Sequence, residues 1–113
     1  MTDAALLTFA ADFRRGLLGR RSSRLMCAVV SGPLQGALSF AGVETALERS
    51  EPPDEFGVWE HLYLRLPDGR VLDPTADQFN GVLPEPLPPV YLGSPLPMHS
   101  SSPSLARRRP HDG

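Results

Sequence analysis

One thiol, one histidine and one carboxylate follow each other along this chain in the order that nucleophilic chemistry uses: Cys27, His61 and Asp73. A thiol attacks a carbonyl as its thiolate, so a base must take the proton and an acceptor must hold the base in place. Cys27 is the sole cysteine, which rules out an intramolecular disulfide and leaves its thiol available for chemistry or for packing. The other readings of these residues are structural. Cys27 can be a small buried hydrophobe, His61 a hydrogen-bonded sheet residue, and Asp73 ahead of Pro74 a helix N-cap with proline in the first helical position. A metal site of Cys27, His61 and Asp73 with His99 or His111 lacks the close ligand pair of structural zinc sites, so no metal and no cofactor is expected.

The elements that must position these groups follow from the apolar pattern. Leu6, Leu7, Phe9, Ala10, Phe13 and Leu17 recur at helical spacing behind Thr2 and Asp3, predicting a first helix over 3–18. Ser22 or Ser23 can cap a second helix that carries Met26, Val29, Val30, Leu34, Ala37 and Leu38 and stops at Gly42. Pro33 lies inside it and predicts a kink or a break. Cys27 falls in its first turns, where free N–H groups and the helix dipole favour an anion.

Residues 43–49 read as a strand, 50–57 as an acidic loop, and 58–66 as the strongest strand of the chain. Pro67-Asp68-Gly69 fits a three-residue hairpin turn with Gly69 in the left-handed position. That turn sets Leu66 against Arg70 and Tyr63 against Asp73, so His61 and Asp73 share a sheet face as diagonal neighbours about 7–8 Å apart. Trp59 and Tyr63 are expected to pack around the histidine, and Asp77 and Gln78 to be surface or first-turn residues. Both strand faces carry large apolar groups, which predicts a sheet covered on both sides, by the helices and by a second subunit. The Pro-rich stretch 82–97 is expected to run extended, with Val90-Tyr91-Leu92 as an edge strand.

Cys27 at a helix start, then His61-Leu62-Tyr63-Leu64, then Pro67 to Thr75 through Asp73, resembles the transglutaminase-like branch of the papain-like cysteine peptidase superfamily. The resemblance implies a small α+β fold with a papain/transglutaminase-like core. It also implies Cys27 as nucleophile, His61 as general base and acid, and Asp73 as the residue that orients the imidazole. The chemistry implied is a cysteine hydrolase or acyl-transferase of peptidase, deamidase or transglutaminase type, working on a peptide or protein amide or thioester through an acyl-enzyme. The alternative is a non-enzymatic binding module that keeps the fold without turnover. The small size favours it, as does the lack of an oxyanion side chain where Leu18 to Arg21 stand.

The chain of 113 residues supports a single small domain, expected over 1–93, with 94–113 as a disordered Ser/Pro/Arg tail. Thirteen acidic and eleven basic residues are interspersed, giving a net charge of −2 and no footprint for nucleic acid outside Arg107-Arg108-Arg109. No apolar run approaches membrane-spanning length and no signal pattern opens the chain. A cytoplasmic protein that makes no membrane contact is expected, with a homodimer as a possible assembly because so small a core is marginal alone.

Overall fold

The computed structural model describes residues 1–100. Thr2 opens helix α1 (Asp3–Leu18) by accepting a hydrogen bond from the Ala5 N–H at 3.1 Å, and Gly19, at a φ of 57°, closes it. The second helix, α2, spans Cys27–Phe40. Neither serine caps it as expected. Ser23 turns its hydroxyl to Asp77 at 2.7 Å, Ser22 accepts from the Arg24 N–H, and α2 begins behind Met26 with no side-chain cap. α2 also runs unbroken through Pro33. The carbonyl that loses its partner there is that of Val29, an exposed residue, so water can satisfy it.

Four strands follow: β1 (Ala46–Ser50), β2 (His61–Arg65), β3 (Val71–Asp73) and β4 (Tyr91–Gly93), an antiparallel sheet in the order β1-β2-β3-β4. The hairpin register is the one the turn chemistry dictates. Leu66 N–H donates to Arg70 C=O, Gly69 sits at a φ of 92°, and Leu64 pairs with Leu72. Tyr63 therefore stands opposite Asp73.

The domain is thus a small α+β unit with two helices packed against an open four-stranded sheet. Leu64, Leu66 and Leu72 on one sheet face meet Leu6 and Ala10 of α1 and Leu34 and Leu38 of α2, forming the main core. Each of these buried leucines is worth about 2–5 kcal/mol against alanine.

The opposite sheet face is covered by the chain itself, where a second subunit was one expectation. Phe56, Ala76, Phe79 and Met98 form a second apolar cluster, and the 3-10 turn Pro97–His99 lies against β1 and β2. The expected boundary at residue 93 falls within ordered chain: Met98 and His99 are both buried. The remainder of the expected tail, 101–113, lies outside the described residues. The acidic loop carries Phe56 inward to meet Phe79 edge to face, with ring centroids 5.4 Å apart.

Candidate functional site: a sealed histidine–aspartate–histidine cluster

The hairpin register delivers His61 and Asp73 to one face, and the C-terminal turn brings His99 onto them. His61 Nε2 lies 2.6 Å from Asp73 Oδ2, and His99 Nε2 lies 2.7 Å from the same oxygen. All three side chains are buried. The other carboxylate oxygen, Oδ1, accepts from the Thr75 N–H at 3.1 Å and lies 3.5 Å from the Thr75 hydroxyl. Asp73 therefore serves both as the turn-forming residue ahead of Pro74 and as the acceptor for two imidazoles, one oxygen to each task.

The hydrogen bonds fix the proton positions. Leu96 N–H donates to His99 Nδ1 at 3.0 Å, so Nδ1 is bare and Nε2 carries the proton it donates to Asp73. His61 likewise donates from Nε2. Burial pulls the His61 pKa down, but the hydrogen bond and charge of Asp73, with a contribution from Cys27, outweigh it and raise it to about 9. Burial pushes the Asp73 carboxyl up, and the two imidazole donors more than reverse this, holding it at about 2. At neutral pH the centre of the cluster is an imidazolium–carboxylate pair.

Aromatic packing closes the cluster off. Tyr63 stacks on His61 with centroids 5.9 Å apart and donates its hydroxyl to the His99 carbonyl at 2.9 Å. Phe79 meets the His61 ring edge to face at 4.9 Å. Trp59, expected beside the histidine, is instead 70% exposed. Asp77, in the first turn after Thr75, takes both guanidinium nitrogens of Arg14 at 2.8 Å each, and Arg14 Nη1 also donates to the Pro74 and Pro89 carbonyls.

These positions correct the triad expected from the sequence. The ionisable groups gathered within 4.8 Å of one another are His61, Asp73 and His99; Cys27 is outside the set. His61 Nδ1, the nitrogen that would take a proton from a thiol, is buried with no hydrogen-bond partner. The Cys27 thiol is half-buried at the start of α2. Burial raises its pKa, while the His61 ring and the Leu62 and Ala28 backbone lower it further, leaving it below its ordinary value. The ring and the thiol thus sense each other without forming the nucleophile–base hydrogen bond.

No family model, curated protein or solved structure matches the chain. The resemblance to the transglutaminase-like branch is accordingly corrected: the buried cluster is completed by a second histidine and excludes the cysteine. With it go the papain-like label, the Cys-His-Asp triad and the cysteine hydrolase or acyl-transferase reading. The likeness rested on the His61 to Asp73 hairpin, and that hairpin here serves another arrangement.

Two imidazoles and a carboxylate are also a donor set that transition metals use. Here both Nε2 atoms are committed as proton donors to one carboxylate oxygen inside a sealed interior, so protons occupy the positions a cation would need. Among the described residues no helix is long and apolar enough to cross a membrane.

Sequence reasoning missed His99. It stands in a Ser- and Pro-rich stretch that reads as tail. The available signal was Leu96-Pro97-Met98-His99, in which proline can open a turn and two large apolar residues ask for burial.

Proposed function

We propose that this domain is a non-enzymatic binding module that takes a peptide segment bearing apolar side chains. The observation that carries the reading is the saturation of Asp73: one oxygen holds His61 and His99 and the other faces Thr75, all inside a buried cluster. A carboxylate so engaged braces the fold, and leaves no acceptor for a reacting group.

The side chains offered outward suit recognition. Leu25 is 67% exposed at a φ of 60°, a conformation that costs a non-glycine residue about 1–3 kcal/mol. Its N–H is held by Gln78 Oε1 at 3.3 Å, and Gln78 is in turn anchored to Thr75. Val29 and Trp59 are likewise exposed. Large apolar groups held out on rigid elements serve as anchors in peptide recognition. A cytoplasmic setting suits a chain with one unpaired thiol.

The test is selection of a random peptide library on the folded domain, with Trp59, the sole tryptophan, as the fluorescence reporter of binding. Enriched peptides should bind Cys27→Ser as well as wild type and lose about tenfold or more on Trp59→Ala. Failure to enrich any peptide above a Leu25→Ser/Val29→Ser/Trp59→Ala control would contradict the reading.

A further inference from the structure

We infer that Cys27 is a site of reversible covalent modification by low-molecular-weight disulfides. The inference goes beyond peptide binding and rests on different observations. The first is the orphaned atom: His61 is buried, its Nε2 is bound to Asp73, and its Nδ1 has no partner. An imidazole nitrogen buried without a partner calls for a complementary group. The thiol of Cys27 is the neighbour that acts on this ring beyond Asp73.

The second observation is the helix start. α2 begins at Cys27 with no side-chain cap and no acidic residue in its first turn, so its leading N–H groups face no competing anion. The Leu62 and Ala28 backbone groups act on the sulfur in the same sense as the ring. Asp73, Tyr63 and His99 surround the His61 ring on its other sides and keep it ionised and fixed. The sulfur is only half-buried, so a reagent can reach it.

In the step assigned here the Cys27 thiolate attacks one sulfur of the disulfide. One S–S bond forms to Cys27 as the original S–S bond breaks, and the leaving thiolate takes a proton from solvent. The disulfide is the oxidant, and the Cys27 sulfur is the group oxidised. With no second cysteine in the chain, nothing internal can resolve the mixed disulfide. The adduct persists until an external thiol removes it, and it stands between exposed Leu25 and Val29.

The experiment mixes the full chain with glutathione disulfide and follows adduct formation by intact mass across pH, for wild type, His61→Gln and urea-unfolded wild type. The folded protein should react at least about threefold faster than the unfolded chain at pH 7, after allowing for the lower nucleophilicity of a more acidic thiol. Its rate should reach its plateau below the ordinary thiol value of 9.0. His61→Gln, checked for folding by circular dichroism, should shift that profile upward. The wild-type profile decides even if the variant unfolds. A folded rate at or below the unfolded one, or a midpoint at the ordinary value, would overturn the assignment.

Discussion

His99 donates from Nε2 to Asp73 Oδ2 at 2.7 Å, joining the C-terminal turn to the end of β3 across 26 residues of chain. The same oxygen holds His61. One carboxylate thus ties β2, β3 and the C-terminal segment together in a space without water. Removing one member of such a network strands the others, which costs more than the bond itself is worth.

Asp73→Ala should therefore lose about 3–5 kcal/mol of stability, because two buried imidazole donors are left facing nothing. Asp73→Asn should lose less, since its amide oxygen still accepts. Urea unfolding measures both. Equal, near-neutral effects would mean that the cluster does not hold the fold.

The C-terminal turn should matter as much as the carboxylate. His99→Ala removes a buried ring and one of the two donors to Asp73 and is expected to cost about 2–3 kcal/mol. Hydrogen exchange should then rise first in 94–100, with the α1 and α2 core protected, because the core leucines touch the helices rather than this turn.

Stability should form a plateau bounded by the two shifted groups. Asp73 has a folded value of about 2 against 3.8 ordinarily, so its contribution is present above 3.8 and lost as pH falls toward 2. His61 has a folded value of about 9 against 6.5, so its contribution is complete below 6.5 and lost as pH rises through 9. Urea midpoints measured across this range should fall at both ends. A rise in stability between pH 6.5 and 9 would contradict the imidazolium assignment.

Arg14 is the corresponding brace on the helix side. Its fork takes both oxygens of Asp77, with the side chains only 14% and 22% exposed, and it also reaches the Pro74 and Pro89 carbonyls. Lysine keeps the charge and loses the fork, so Arg14→Lys should cost about 1–2 kcal/mol. A change below 0.5 kcal/mol, roughly the scatter of ordinary surface substitutions, would place the pair among inert surface contacts.

The hairpin was legible because its information is local: Pro67-Asp68-Gly69 dictates the turn, the turn dictates the register, and the register brings His61 to Asp73. The helices were legible for the same reason, save that the start of α2 shifted when Ser23 found Asp77, a partner 54 residues away. His99 was illegible because nothing near it in sequence needs it. Its partners, Asp73 and the Tyr63 hydroxyl, lie 26 and 36 residues upstream, and local composition around it reads as tail. Reading Cys27 as the third member supplied from chain order what long-range folding supplied from the other end of the chain.

The most direct test is the protonation pattern of the two imidazoles, read from the 15N shifts of the ring nitrogens by long-range 1H–15N correlation. His99 should hold its proton on Nε2 with Nδ1 bare, and His61 should remain doubly protonated at neutral pH, with both signatures lost on Asp73→Asn. A His99 ring protonated on Nδ1, or one exchanging between tautomers as an exposed imidazole does, would contradict the sealed cluster and the binding-module reading built on it.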